Sequence, residues 1–321
     1  MTAPPDRPLL VALRPLGLGD LLTAVPALRA LARHFPAHRR VLVTSPGVAP
    51  LARSAGLADE VREGTPLAPL PQDLHGADLV VNLHGRGPQS STLAKASRPR
   101  RLVAFANAEA GVAGPTWRAG EHEVRRWCRL LSESGIPADP GDLRLLPPAR
   151  PAPPEACGAT VVHPGAASGA RRWPAERWAA VVRAERAAGR AVVVTGGPDE
   201  VALARAVAGD TVAPEAVLAG RTDVLDLAAV VAAAGRVVSG DTGVAHLATA
   251  LCRPSVVLFG PVAPDEWGPP DRPDHVALWA GGRGDPLADE PDPGLLEIAV
   301  DDVVAALRGL PVAEPGLPCG G

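Results

Sequence analysis

Tyrosine is absent from this 321-residue chain, phenylalanine occurs three times, and Lys95 is the only lysine. Aromatics at 3% argue against a stacking platform for single-stranded nucleic acid, and no nucleic-acid partner is expected. Alanine, arginine, proline and glycine dominate instead. This has the look of a mutational bias, under which no single arginine carries weight by itself. The four cysteines, Cys128, Cys157, Cys252 and Cys319, are scattered without a C-x-x-C pair. Their spacing fits neither a zinc site nor a disulfide framework, and a reducing cytoplasm is the expected compartment. The N-terminus lacks a signal-peptide core, and no apolar run reaches the roughly 18 residues that a membrane helix needs. A cytoplasmic protein is expected, with peripheral contact at the inner membrane surface left open. No G-x-S-x-G elbow marks a serine hydrolase. The single H-x-x-x-H spacing, His34 and His38, encloses Pro36, which spoils the helical face a metal pair would need. Neither a metal nor a cofactor is expected.

What is present builds sizeable cores. Hydrophobic residues make up 46% and the mean hydropathy is +0.10. The length implies two domains of about 150 residues each. The net charge of −3 hides an asymmetry: residues 1–150 hold 19 Lys+Arg against 13 Asp+Glu, and the remainder 13 against 22. The basic half fits an anionic partner, or equally a solvated basic face; Arg98, Arg100 and Arg101 form its densest cluster.

Apolar runs at 9–13, 41–43, 78–83 and 101–105 read as buried strands, separated by helical stretches after residue 19 and over 48–54. Prolines crowd between Pro147 and Pro154 and make a stiff linker, so the domains are expected to be 1–150 and 151–310. The pattern then restarts. Strands are expected at 160–162, 191–194, 237–238 and 255–259, helices at 174–188, 199–207, 224–234 and 300–307, and loop over most of 262–294. Residues 311–321 are expected to be a disordered tail. Alternating strands and helices mean parallel sheets covered on both faces. The expected fold class is α/β, two Rossmann-like doubly wound domains facing a central cleft, with ligands at the strand C-terminal edges.

Four loops fall at such edges. In the first, Arg14 to Asp20, Gly17 and Gly19 make half of a dinucleotide fingerprint, but Leu22 replaces the third glycine and Thr44-Ser45-Pro46 replaces the acidic residue. Asp20 at the start of a helix is either a cap or a general base for a hydroxyl nucleophile. In the second, His163 to Pro174, small residues free the backbone to wrap an anion, and Arg171 and Arg172 are either a diphosphate clamp or surface charge. In the third, Gly196-Gly197-Pro198-Asp199-Glu200, an acidic residue binds ribose hydroxyls or stabilises the helix that follows. The fourth, Ser239-Gly240-Asp241-Thr242-Gly243-Val244-Ala245-His246, joins an apolar strand to an apolar helix. Free N–H groups and the helix dipole there suit a phosphate, while capping by Asp241 or Thr242 is the plainer role. His246 is either structural or close to that phosphate. The loop His84 to Pro88 follows another strand.

Together these loops resemble glycosyltransferase family 9, the heptosyltransferase-like enzymes of the GT-B fold. The resemblance rests on G-x-G-D-L-L (Gly17 to Leu22), H-P-G-A…R-R-W-P (His163 to Pro174), G-G-P-D-E (Gly196 to Glu200) and S-G-D-T-G-V-A-H-L-A-T-A-L…P-S-V-V-L-F-G-P (Ser239 to Pro261), and spans residues 9–265. It implies inverting, metal-independent transfer of a sugar, heptose from an ADP-linked donor, to a hydroxyl of a glycan or glycolipid; lipopolysaccharide core is the acceptor usual for the family. The first domain would bind the acceptor and the second the donor. Carried over by residue, Asp20 would be the general base, with Gly17, Gly19, His84 and Arg86 on the acceptor side. Arg171, Asp241, Thr242, Gly243 and His246 would hold the donor diphosphate, and Glu200 the ribose beside Gly196 and Gly197. Arg171 stands where the family usually has lysine, so a guanidinium fork replaces a point charge. The alternatives are a sugar-nucleotide epimerase of the same plan, which needs no acceptor, and a non-catalytic nucleotide-sugar binding protein.

Overall fold

A computed structural model describes residues Arg7–Pro311. The chain divides into two compact units between Leu143 and Arg144. The proline-rich segment that marks the boundary in the sequence belongs to the second unit. Leu145 donates its N–H to Ala250 O at 2.7 Å, and Arg150 reaches Asp223 and Asp226 at 2.7 and 2.8 Å. The tail expected beyond residue 311 lies outside the described residues.

The first unit runs β1 (Leu9–Arg14), α1 (Leu18–Thr23), α2 (Val25–His34), β2 (Arg39–Thr44), α3 (Ala49–Ser54), β3 (Glu60–Glu63), β4 (Leu79–Asn82), α4 (Gln89–Ala96), β5 (Arg101–Val103) and α5 (Glu123–Glu133). Its sheet has the order β3-β2-β1-β4-β5, every pairing parallel. Leu10, Val11 and Ala12 are consecutive in β1 and all buried, because helices cover both faces of a parallel sheet. The order reverses between β1 and β4, and the loops after those strands diverge there. At such a switch point an open α/β sheet offers its ligand crevice.

The second unit runs β6 (Thr160–His163), α6 (Ala175–Ala187), β7 (Val192–Val194), α7 (Val201–Ala208), α8 (Val224–Ala233), β8 (Arg236–Gly240), α9 (Gly243–Ala250), β9 (Ser255–Leu258), α10 (Pro264–Trp267), β10 (His275–Leu278), α11 (Pro293–Glu297) and α12 (Val300–Gly309). The sheet order is β10-β9-β8-β6-β7, again all parallel. The switch point lies between β6 and β8. The second and fourth loops singled out above follow those two strands.

Two edge strands escape the sequence reading. β3 reads Glu-Val-Arg-Glu with one buried residue, and β10 lies inside the stretch expected to be loop, with no fully buried residue. An edge strand covered on one side needs no continuous apolar run. No helix among the described residues is long and apolar enough to cross a membrane.

Candidate functional site

In the first unit the site is organised by Arg14, the last residue of β1 and 1% exposed. Its Nε donates to Asp20 O at 2.8 Å, and its Nη2 to Asp20 Oδ1 at 3.2 Å and Glu123 Oε1 at 3.0 Å. Glu123, at the start of α5, also accepts from Trp127 Nε1 at 2.9 Å and from Arg126. A guanidinium this deeply buried persists only when its donors are matched by acceptors, and the fork of Arg14 delivers that match while gripping the first turn of α1. The remaining oxygen of Asp20, Oδ2, accepts the Gly17 N–H at 3.2 Å. The cap role is therefore real, but the Asp20 side chain stays 30% exposed. Its carboxylate is aimed by Arg14 yet open to a substrate.

His84 follows β4, its backbone N–H fixed by Asn82 Oδ1 at 3.1 Å. Burial holds its imidazole below the usual histidine range, aided by Arg14 and opposed by Asp20, so it is neutral at pH 7 and lies within electrostatic reach of both. Its Nδ1 is buried without a hydrogen-bond partner. Gly17 caps α1 and Gly19 lies inside it. Arg86 is exposed, and its carbonyl accepts from Asn107 Nδ2 at 3.2 Å. The Arg98, Arg100 and Arg101 cluster lies at the start of β5, the sheet edge opposite these loops.

In the second unit Thr242 is the N-cap of α9, but its side chain makes no capping bond. Its Oγ1 is buried and unpartnered, as is Arg171 Nε. Arg171 Nη1 stands 3.5 Å from Asp241 Oδ2. Arg172 turns back on its own loop, donating from Nε to Ala166 O at 3.0 Å, so the two adjacent arginines have separate tasks. A Cβ on Gly240 would sit 3.2 Å from the Arg171 carbonyl, which keeps this loop hard against β8. Gly243 opens α9 beside these groups. Unsatisfied N–H groups of a helix terminus, a buried unpartnered hydroxyl and a guanidinium are donors of the kind an oxyanion accepts from.

Glu200 accepts the Gly197 N–H at 2.7 Å through Oε2, which fulfils the helix-stabilising role. Its carboxylate also lies over Gly165, where a Cβ would come within 2.1 Å of Oε1. Glu200 therefore borders the loop after β6, and a Cβ at Gly165 would require its carboxylate to move. Gly196 is similarly confined, by Ala219 and Glu200. His246, one turn into α9, meets Trp267 edge-to-face at 5.7 Å between ring centroids.

Asp241 is buried, and burial raises its carboxyl to about 6 against the pull of Arg171. The sign follows directly. Between about pH 4 and 6 the folded chain holds a proton that the unfolded chain has lost, so this group's contribution to stability falls as pH rises through that window, by about 3 kcal/mol in all. Protonation also removes a negative charge beside the anion site and releases Arg171. ADP-ribose, whose pyrophosphate keeps its charge across this range, is expected to bind more tightly at pH 5.5 than at pH 8. Asp241→Asn should flatten that dependence. Equal calorimetric affinity of the wild type at both pH values would separate Asp241 from the anion site.

Sequence reasoning singled out the loops but missed the buried frame of the first unit, Arg14, Glu123, Arg126 and Trp127. The signal for Arg14 was its place at the end of a buried strand; its partners in α5 are over 100 residues away. Among the described residues no three or more His, Cys, Asp or Glu side chains group as a metal site would require.

Residues 90–284 match the family model of glycosyltransferase family 9 (heptosyltransferase). The lipopolysaccharide heptosyltransferase 3 of Escherichia coli is 31% identical over 157 residues, 47% of this chain and 46% of that protein, so the match spans about half the length of this curated relative. Among solved structures, the glycosyl transferase family 9 from Veillonella parvula DSM 2008 superposes with a TM-score of 0.77 at 19% identity, over 95% of this chain and 98% of that one. The Escherichia coli heptosyltransferase WaaC with ADP-2-deoxy-2-fluoro heptose gives 0.70 at 18% identity, over 94% and 99%. These likenesses establish the fold, two parallel-sheet α/β domains of the GT-B type. With the family model covering more than half of the sequence, the chain belongs to glycosyltransferase family 9 (heptosyltransferase).

Proposed function

We propose that this chain is an inverting, metal-independent glycosyltransferase that moves heptose from ADP-heptose to a hydroxyl of a glycan or glycolipid acceptor. The observation that carries the reading is the pair of unpartnered polar groups, Thr242 Oγ1 and Arg171 Nε, at the N-terminus of α9. That a relative was solved with an ADP-linked heptose analogue supports the choice of donor.

In this reading the donor diphosphate lies against the start of α9, held by Arg171, Thr242 and the N–H of Gly243, with His246 one turn behind. As the glycosidic bond breaks, charge builds on the leaving diphosphate oxygen. Helix dipole, N–H groups and guanidinium meet that charge without reorganising. Glu200, beside Gly196 and Gly197, takes the ribose hydroxyls. Asp20 accepts the proton of the attacking hydroxyl, and Arg14 keeps its carboxylate in place. The first unit is thus the acceptor side and the second the donor side, acting at the cytoplasmic face of the membrane.

The test is release of ADP from ADP-heptose with a pooled set of hydroxyl acceptors in the presence of EDTA, followed by proton NMR of the product. The anomeric configuration should be inverted, at a rate that EDTA does not change. Retention of configuration, or inhibition by EDTA that magnesium reverses, would contradict the mechanism.

A further inference from the structure

The first unit contains a cavity of about 320 Å³ at the same sheet edge as Asp20, near the lower bound of the about 300–1,000 Å³ usual for small-molecule sites. Its walls come from the ends of β1 and β2 (Leu13, Val43), from α4 (Leu93) and from the loop after β3 (Leu67, Leu70). Pro15 and His84 bring it to the switch point. Resting on the transfer reading, we propose that this cavity receives an uncharged apolar group that carries the acceptor hydroxyl, in place of the anionic acceptor that the basic first half implied.

Three observations converge. The first is charge. Glu63 is the one charged side chain among the lining residues, and it already pairs with Arg53 at 3.0 Å. A phosphorylated or carboxylated acceptor would find no cation among the lining side chains. The arginine excess lies elsewhere, at the start of β5 and in pairs such as Arg29 and Arg33 with Asp142 and Arg129 with Glu121. The second is Leu67. It is 49% exposed, and its φ of +58° is a left-handed backbone that a bulky residue rarely adopts. Exposure and strain both cost stability, and together they present an apolar side chain to the cavity, as backbone outliers at ligand clamps do. The third is His84, which brings an imidazole held below the usual histidine range by burial to the cavity wall, within the field of Asp20.

The test uses the full chain and fluorescence titration with 1-naphthol. Saturable binding is expected, at least tenfold weaker in Leu67→Asp and in Ala68→Trp, two substitutions at exposed loop positions. ADP affinity by calorimetry should be unchanged in both. Displacement by 1-octanol would assign the group to a lipid chain, and its failure to compete would assign a ring; either supports the proposal. Absence of naphthol binding, equal binding in both variants, or displacement by glucose 6-phosphate would overturn it. Naphthol binding without any ADP binding by the wild type would count against the transfer reading and leave the cavity assignment standing.

Discussion

Asp20→Asn is expected to lower turnover about 10²–10⁴-fold, the usual contribution of a general base, while ADP affinity is unchanged. The substitution is conservative in shape. An amide oxygen still accepts the Gly17 N–H, so the start of α1 survives, and what is lost is the ability to take a proton together with the Arg14 bond to Oδ1. A purely structural aspartate would show a different signature, a lowered melting temperature with turnover recovered at low temperature. Turnover within a few-fold of wild type would remove Asp20 from the mechanism.

The largest effect on stability is expected at Glu123, a residue that touches no substrate. Its carboxylate accepts from Arg14, Arg126 and Trp127 in a buried setting. Glu123→Ala removes the carboxylate that two buried guanidinium groups share, leaving Arg14 with Asp20 and Arg126 with a backbone carbonyl, and breaking a buried pair from one side costs about 3–5 kcal/mol. Urea unfolding should show that loss. Because Arg14 is also the group that aims Asp20, the variant should lose turnover out of proportion to any change in ADP affinity. Glu123→Gln, which keeps an acceptor oxygen, should fall between wild type and alanine on both readouts. A shift under about 1 kcal/mol, the scale of a surface pair, would contradict the buried network.

The central strands were legible because a parallel strand buried on both faces writes an unbroken apolar run, as Leu9 to Leu13 and Val256 to Leu258 do. The edge strands β3 and β10, with one and no buried residue, do not and were invisible for that reason, whereas the opposite edges β5 and β7 were read. Site loops could be found because glycine and small residues at a strand end have few purposes besides close backbone approach, and Gly165 under Glu200 shows one of them. Local sequence could not decide between roles that share a residue. Asp20 and Glu200 both accept a capping hydrogen bond, whereas the side chain of Thr242, the N-cap of α9, makes none. Of the two adjacent arginines, one faces Asp241 and the other its own loop, a division set by backbone geometry. The Arg14–Glu123 network joins residues 109 positions apart, beyond the reach of any spacing rule. Net charge could not decide between an anionic partner and a solvated basic face. The basic excess of the first half is spread over ion pairs and the far sheet edge, not gathered at the site.

The central claim is that the start of α9, with Arg171 and Thr242, binds a nucleoside diphosphate. Calorimetric titration of the wild type and Arg171→Ala with ADP, GDP, UDP and NAD, without metal, tests it most directly. Selective binding of ADP, weakened by about 1–3 kcal/mol in the variant as for a lost charged hydrogen bond, is the predicted result. Binding of NAD alone, or ADP affinity indifferent to Arg171→Ala, would contradict it.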